Sequence, residues 1–566
     1  MNRKQLWIYI LLVTFPVACR TPSYARVEKK SQKKYLNSIT NKLTGTIAPE
    51  QRKTLGISYF KKGMIEEALE ELKLAAEGIK EDCELHHYLG KAYYENDKVD
   101  EAVAEMLAAV SCYKPNQTTE RADAYYDLGL AYKKKNAITE SISALKESIK
   151  LNPSVACTNY NLALLYYEED MLDECITYLK RAIKIDPKEA DAHFMLGLAY
   201  YKRKLLDRAM NEFQQTINLN PDDANAHNYL GILYYERGDL EKSIIEHKTA
   251  IQLEKNYPAA FNNLGVALYA KGDLGEAANA FRKALELEPK FAEAHYNLGL
   301  IYSEEGKTED AVSSLEKAIR LNPKIAEAYF KLGEIYTEKD MPEEALSEYS
   351  KAIDIKPSYA EAYYNCGELY AAKGKHDKSI VAWKKTIEFN PRNTDAYFNL
   401  GVAYYNQNRL DKAISMWNKV LEINPDDYDA LTGVADVYDM QGLTDKAIHT
   451  WEKIVELYPE KAEIYHKLGN AYAKKNMPTT AIPYWEKAVE INPDIANAYY
   501  NLGLVYQKIG RQDDAIEAYK KVLDIDADDI DTRRNLGLLY QEKGMHVEAE
   551  SEFAICSKLR SAQEIK

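Results

Sequence analysis

A glycine that returns every 34 residues is the feature that most constrains this 566-residue chain. The span from Gly129 to Gly537 is 408 residues, or twelve steps of 34, with alanine in place of glycine at two steps. Gly56 and Gly90 add two earlier steps, and five extra residues interrupt the spacing between Gly90 and Gly129. Self-similarity at a period of this length indicates repeated units that stack side by side. The sequence therefore predicts 15 such units.

Each unit has the pattern of two amphipathic helices. With the recurring glycine as position 8, positions 4, 7, 8 and 11 form one apolar stripe, and position 11 is tyrosine in 14 of the 15 units. Position 15 is Gly, Asn or Asp in every unit but one, which predicts a left-handed residue that ends the first helix. A second apolar helix follows, with a large side chain at position 24. We assign this position to the core, including Trp383, Trp417, Trp451 and Trp485.

The pattern resembles the tetratricopeptide repeat (TPR), a two-helix unit of 34 residues. The resemblance implies an all-α fold, a right-handed superhelical solenoid of about 15 TPR helix-turn-helix units in which each unit contacts its neighbours. The predicted organisation is an export signal at residues 1–18, a basic flexible tether at 19–48, the solenoid at 49–563 with an insertion near 112–120, and a tail at 564–566.

The first residues have the order of an export signal. Two basic residues precede the apolar run from Leu6 to Phe15, and small residues follow it. The segment resembles a bacterial lipoprotein signal, which implies lipidation of Cys19, whereas cleavage after Ala25 is the alternative. The apolar run is too short for a stable membrane span. We therefore expect an exported chain in the bacterial cell envelope, anchored by lipid on the periplasmic face.

Aromatic and amide side chains recur on the side of the first helix opposite the packing stripe. The resemblance implies that this side lines a concave groove. Exposed rings indicate a binding surface, and a ladder of asparagine amides can pair with the backbone of an extended peptide. This ladder is similar to the one in the TPR half of O-GlcNAc transferase. The predicted peptide-binding residues are Tyr126, Tyr160, Asn161, Tyr167, Phe194, Tyr201, Tyr235, Asn263, Tyr269, Tyr296, Asn297, Phe330, Tyr364, Asn365, Phe398, Asn399, Tyr405, Tyr500, Asn501 and Asn535. The alternative is that the curvature of the stack buries these rings against adjacent first helices.

Charge and motif content narrow the classes of function. A net charge of −14 argues against a nucleic-acid binder. The sequence has no catalytic constellation and no zinc-binding spacing, so we expect no enzyme activity, no cofactor and no metal. Cys83 and Cys112 lie at the ends of two antiparallel helices, so a disulfide between them is feasible in an oxidising compartment.

The sequence thus predicts an exported, membrane-anchored TPR scaffold that binds extended peptide segments of partner proteins and supports the assembly of a complex. The alternative is a periplasmic solenoid that binds glycan or peptidoglycan, since rings with Asn and Asp side chains also suit sugars. The expected partners are a protein or peptide, and the membrane through the N-terminal lipid, with no nucleic acid. End-to-end self-association is left open, because the last unit lacks an obvious polar closing helix.

Overall fold

The computed structural model describes residues 47–564, in which thirty α-helices and no β-strand are present. The predicted export signal, Cys19 and the tether up to residue 46 lie outside the described residues. None of the described helices is both long enough and apolar enough to cross a membrane. The described chain divides into two compact units, residues 47–322 and residues 323–564.

The N-terminal unit consists of eight helical hairpins, and each helix packs against the next along the chain. Its helices are α1 Pro49–Lys61, α2 Ile65–Gly78, α3 Cys83–Glu95, α4 Val99–Cys112, α5 Thr118–Lys134, α6 Ile138–Leu151, α7 Ala156–Glu168, α8 Leu172–Ile185, α9 Ala190–Lys202, α10 Leu206–Leu219, α11 Ala224–Glu236, α12 Leu240–Leu253, α13 Pro258–Lys271, α14 Leu274–Leu287, α15 Ala292–Glu304 and α16 Thr308–Leu321.

The C-terminal unit consists of seven hairpins of the same kind. Its helices are α17 Ala326–Glu338, α18 Pro342–Ile355, α19 Ala360–Ala372, α20 His376–Phe389, α21 Thr394–Asn406, α22 Leu410–Ile423, α23 Tyr428–Met440, α24 Thr444–Leu457, α25 Ala462–Lys474, α26 Pro478–Ile491, α27 Ala496–Lys508, α28 Gln512–Ile525, α29 Ile530–Glu542 and α30 His546–Glu564. The two units together give the fifteen helical hairpins that the period predicts.

The recurring glycine is small because it faces the large residue at position 24 of the same repeat. A Cβ atom at Gly401 would lie 2.3 Å from Trp417 Nε1, and one at Gly333 would lie 2.5 Å from Tyr349 Cε1. All four tryptophans at position 24 are buried, as predicted. The close approach of the first helix to this ring is therefore what fixes the hairpin.

The left-handed residue predicted at position 15 is present in all fifteen repeats of the described chain. Eight of these residues are glycine, and the other seven include Lys204, with φ of 59°. Lys204 stands in the one repeat that lacks Gly, Asn or Asp at this position, and it adopts the same backbone. Repeat geometry therefore outweighs the preference of a single residue, although a side chain is strained in this region.

The five-residue insertion alters one junction between repeats. It lengthens the connection after α4, and α5 has 17 residues where the other first helices have 13 or 14. The ring of Tyr113, directly after α4, is buried against the rest of the unit. The insertion is thus packed into the fold.

Candidate functional site

We define the first-helix face as the side of the first helices that carries positions 5, 6, 9, 12 and 13. All twenty predicted peptide-binding residues lie on it, but they differ in exposure. Nine are buried: Tyr160, Asn161, Phe194, Tyr201, Asn263, Tyr269, Tyr296, Asn297 and Phe330. Ten are partly buried: Tyr126, Tyr167, Tyr235, Tyr364, Asn365, Phe398, Asn399, Tyr500, Asn501 and Asn535. Tyr405, at 36% exposure, is the one exposed member.

Packing between successive first helices buries the rings of the N-terminal unit. In this unit α7 contacts α9, α11 contacts α13, and α13 contacts α15. The Tyr201 hydroxyl donates to Glu236 Oε1 at 2.6 Å in the next repeat, and the ring of Phe194 stands 5.8 Å from that of Tyr229. The expectation of an exposed aromatic stripe is wrong for most rings of this unit, where the alternative of burial against adjacent first helices holds. These rings hold adjacent repeats together.

The asparagine ladder also joins repeats. Each of its seven Nδ2 groups donates a hydrogen bond to a side chain of the preceding repeat, with donor–acceptor distances of 2.7 to 3.4 Å. The acceptors are Tyr126 for Asn161, Asn228 for Asn263, Asn262 for Asn297, Tyr349 for Asn365, Tyr364 and Glu368 for Asn399, Asn470 for Asn501, and Tyr500 for Asn535. A bound peptide would have to compete with these bonds for the amide hydrogens.

A buried histidine extends this polar network in the N-terminal unit. His247, at position 24, places Nδ1 3.0 Å from Asn228 Oδ1, which also accepts from Asn263 Nδ2 at 3.2 Å. Burial lowers the pKa of His247 to about 3. The imidazole is therefore neutral at physiological pH, and Nδ1–H donates to the amide oxygen. These polar groups are buried and are part of the core of the unit.

The first-helix face of the C-terminal unit is more open, and a cavity of 340 Å³ lies on it between α21 and α25. Tyr405 and Met440, at 36% and 58% exposure, stand at its edge. Two ion pairs also line it, Lys467–Asp436 and Lys474–Asp439, each with a distance of 2.9 Å. We call this cavity the Trp451 groove, after a further lining residue.

Trp451 is the functional candidate that sequence reasoning did not single out. Its ring is 3% exposed, as a core residue should be, but its Nε1–H finds no acceptor among the described residues. In neighbouring repeats the matching groups are bonded: Trp417 donates to the Phe398 carbonyl at 3.3 Å, and Trp485 donates to Asn470 Oδ1 at 3.0 Å. An orphaned donor in a buried position is costly, so it marks a place where a ligand can supply the acceptor.

Position 9 of the same repeat differs between Trp451 and Trp485. Asn470 occupies this position in the repeat of Trp485, whereas Asp436 occupies it in the repeat of Trp451. The Asp436 carboxylate accepts from Lys467 Nζ through both oxygens. Burial opposes the charge of Lys467, but Asp436 and Glu463 together more than offset this and raise the pKa of the ammonium.

The cysteines follow the expected arrangement where the structure describes them. Cys83 and Cys112 are joined in a disulfide, with their Cα atoms 5.2 Å apart. Cys175 and Cys366 are buried thiols, and burial raises the pKa of each to about 12. Among residues 47–564, no group of three or more His, Cys, Asp and Glu side chains could hold a metal ion.

Comparisons with solved structures give partial matches. YrrB, described as a TPR protein with an unusual peptide-binding site, is 28% identical over 33% of this chain and 95% of its own, with a TM-score of 0.29. Two structures of MamA are 35% and 29% identical, cover 29% and 31% of this chain and 95% and 96% of their own, and have TM-scores of 0.27 and 0.29. No curated protein matches the chain.

Family models match along most of the chain. The model described as TPR repeat matches residues 233–272, 267–306, 299–340, 342–374 and 367–408. Models described as Tetratricopeptide repeat match residues 122–155, 168–233, 394–427, 429–461 and 460–528. All are repeat models, and none describes an enzyme. The first two hairpins precede these matches, and the structure shows them as α1 to α4. The chain belongs to the tetratricopeptide repeat family.

Proposed function

We propose that this TPR protein is a scaffold that binds an extended peptide segment of a partner protein in the Trp451 groove. The single observation that carries the proposal is the buried Trp451 N–H without an acceptor. The backbone carbonyl of an extended peptide supplies that acceptor whatever the peptide sequence. Protein–protein interaction is the general role of such repeats, and the groove gives it a place in this chain.

The edges of the groove suit an apolar anchor of the peptide. The Tyr405 hydroxyl contacts Met440 Sδ at 3.3 Å, so a ring and a thioether stand together at the surface. Tyrosine offers a large rigid area, and methionine adapts its shape to what it contacts. A side chain that packs on these two residues would direct the neighbouring carbonyl towards Trp451.

The charges of the groove favour a segment of low net charge. Asp436 is paired with Lys467, and Asp439 with Lys474, so the two ion pairs leave the lining close to neutral. A charged peptide side chain would have to break one of these pairs to gain a partner. We therefore propose a neutral, extended segment, held by main-chain hydrogen bonding and one apolar contact.

The test replaces Trp451 by phenylalanine, which removes the N–H and keeps an aromatic ring. The full chain selects binders from an array of short random peptides, and the affinity of a selected peptide is then measured by fluorescence anisotropy. Loss of one hydrogen bond predicts an affinity about fivefold weaker. Trp417→Phe is the matched control, because its N–H already has an internal acceptor. Equal loss in both variants, or binding to a glycan array with none to peptides, would reject the proposal.

We also propose export, lipid anchoring and assembly of an envelope complex. The order of residues 1–25 supports export, and the Cys83–Cys112 disulfide is compatible with an oxidising compartment. The test is labelling of the chain with radioactive palmitate in a bacterial host. The wild type should be labelled and Cys19→Ser should not, whereas labelling of both would refute anchoring through this residue. Sedimentation at increasing concentration tests end-to-end self-association.

A further inference from the structure

The insertion that breaks the period builds a second cavity, in the N-terminal unit. The cavity has a volume of 620 Å³, within the range of about 300–1,000 Å³ that small-ligand sites occupy. Tyr113, Gln117 and Glu120 come from the inserted segment and its junction with α5, and Glu84 and Asp123 come from the flanking first helices. We call this cavity the insertion pocket. It does not overlap the Trp451 groove, and it stands independently of the function proposed above.

The disulfide fixes one wall of the insertion pocket. Cys83 and Cys112 are bonded, and the residues that directly follow them, Glu84 and Tyr113, both line the pocket. The inserted segment is therefore tied to α3 at the point where the pocket begins. Two irregularities of the sequence, the broken period and the paired cysteines, thus meet at one place.

At the floor of the pocket, the side chain of Asp127 is in contact with two basic side chains. The Asp127 carboxylate lies 2.7 Å from His87 Nε2 and 3.0 Å from Lys91 Nζ. The Lys91 ammonium also lies over the ring of Tyr88, 5.9 Å from its centroid. The Lys91 ammonium is thus paired directly with Asp127, and its charge also acts on Asp123 at the rim. Glu84, on the other side, is paired with Lys53 at 2.9 Å.

Two carboxylates at the rim form no salt bridge of their own. Glu120 and Asp123 line the pocket, both are exposed, and neither forms a salt bridge with a described residue. Desolvation and the charge of Asp127 raise the pKa of Asp123, although the charge of Lys91 opposes the shift. A cation placed beside Asp123 would relieve this repulsion.

The Tyr113 hydroxyl in the same pocket also lacks a partner. The Tyr113 side chain is 7% exposed, and its hydroxyl makes no hydrogen bond with a described residue. Glu84 and Glu120 are the charges that act on it most strongly. A hydroxyl in this field can accept a hydrogen bond from an ammonium or guanidinium group. The rings of Tyr88 and Tyr126 add aromatic surface, which also attracts cations.

We propose that the insertion pocket binds a lysine or arginine side chain from a segment of a partner protein. The ammonium or guanidinium group lies between Glu120 and Asp123 and donates a hydrogen bond to the Tyr113 hydroxyl. The alkyl part of the side chain lies against the tyrosine rings. The site thus combines opposite charge, an aromatic wall and a hydroxyl acceptor, which together select a cation on an apolar stem.

The test uses a fluorescent peptide with two adjacent lysines in a Gly/Ser context, and the same peptide with norleucine in their place. Titration of the oxidised full chain at physiological salt should show binding of the lysine peptide only. Glu120→Gln/Asp123→Asn should weaken this binding about tenfold, and Tyr113→Phe about threefold. Circular dichroism verifies that each variant is folded.

The matched control is Glu309→Gln/Asp310→Asn, which removes two exposed carboxylates from the first turn of α16. Because the chain is acidic, general attraction would make both double variants equally weak, and that result would overturn the proposal. Equal affinity for the norleucine peptide would overturn it as well. Cadaverine distinguishes the source of the cation: it should compete weakly, and binding tighter than that of the peptide would refute a protein segment as the ligand.

Reduction of the disulfide tests separately whether the Cys83–Cys112 bond supports the insertion pocket. Opening Cys83–Cys112 frees the segment that carries Tyr113, so the affinity for the lysine peptide should fall about threefold. An unchanged affinity after complete reduction would refute the role of the disulfide as the support of this pocket.

Discussion

The contact between position 8 and position 24 can be tested by the same substitution at two glycines. Gly401 stands at position 8, and Gly275, in a second helix, is the control. Gly275→Ala and Gly401→Ala each add a single methyl group to a helix. At Gly275, in the first turn of α14, no atom lies within 4 Å of the added Cβ. Alanine there restricts the unfolded chain without a clash, so the free energy of unfolding should rise by about 0.5 kcal/mol.

At Gly401 the same methyl group has no room. It would lie 2.3 Å from Trp417 Nε1 and 2.6 Å from Cδ1 of the same ring. The ring is buried, and its N–H donates to the Phe398 carbonyl at 3.3 Å, so it cannot move away without losing that bond. Overpacking costs about 1–3 kcal/mol and the bond about 1 kcal/mol, against a gain of about 0.5–1 kcal/mol from alanine. We expect a net loss of about 2 kcal/mol.

The assay is urea unfolding followed by circular dichroism, with hydrogen exchange to assign the loss to α21 and α22. Exchange is needed because repeat proteins unfold locally as well as globally. The repeat of Trp451 already has alanine, Ala435, at position 8. The substitution must therefore be made in a repeat that has glycine there. The reasoning is refuted if Gly401→Ala is as stable as the wild type, or if the two variants change stability in the same direction.

Two further predictions concern the N-terminal unit. Lys204→Gly should raise the free energy of unfolding by about 1 kcal/mol, since glycine adopts the left-handed backbone without strain, and a thermal melt that shows no gain contradicts this. Hydrogen bonds to Glu212 and Glu246 raise the pKa of His193 and His227, although burial opposes the shift. Their stabilisation is therefore complete below an unfolded pKa of about 6.5 and is lost as the pH rises through the folded pKa. Melting temperatures should fall across this window in the wild type and less in His193→Gln/His227→Gln; equal profiles would count against the argument.

The repeat architecture was predictable because it rests on local rules. Spacing alone gave the hairpins, and the left-handed position was correct even at Lys204, because a turn of fixed length between two packed helices imposes its own backbone. The burial of the four tryptophans followed from the apolar pattern of the second helix. In each case the deciding contact lies within one repeat, so one repeat of sequence contains the information.

The exposure of the first-helix face was not predictable in the same way. Whether Tyr296 is buried and Tyr405 exposed depends on the distance between successive first helices, which no single repeat specifies. The hydrogen-bond partner of two ladder asparagines could, however, be read from the sequence. Asn161 and Asn399 each follow, 35 residues later, a tyrosine at position 5 of the preceding repeat, and each amide donates to that hydroxyl. Comparing position 6 with position 5 one repeat earlier would have predicted these bonds.

The Trp451 groove suggests a substitution that would weaken peptide binding by giving the Trp451 N–H an acceptor within the protein. Asp436→Asn places at position 9 the residue that accepts from Trp485 in the next repeat, where Asn470 Oδ1 lies 3.0 Å from the indole nitrogen. The new amide oxygen should accept from Trp451, while Lys467 keeps Glu463 at 3.2 Å. Stability should then change little, because a partly exposed ion pair of about 0.5 kcal/mol is exchanged for a hydrogen bond of about 1 kcal/mol.

Peptide affinity, in contrast, should fall about fivefold in Asp436→Asn, since the peptide carbonyl loses its donor. Asp439→Asn is the control, because it removes a carboxylate from the same cavity but stands at position 12 and pairs with Lys474. The indole proton of Trp451 reports directly on the new bond by its NMR shift. If that shift shows the bond and the peptide still binds as tightly as to the wild type, the orphaned donor is not what recognises the peptide.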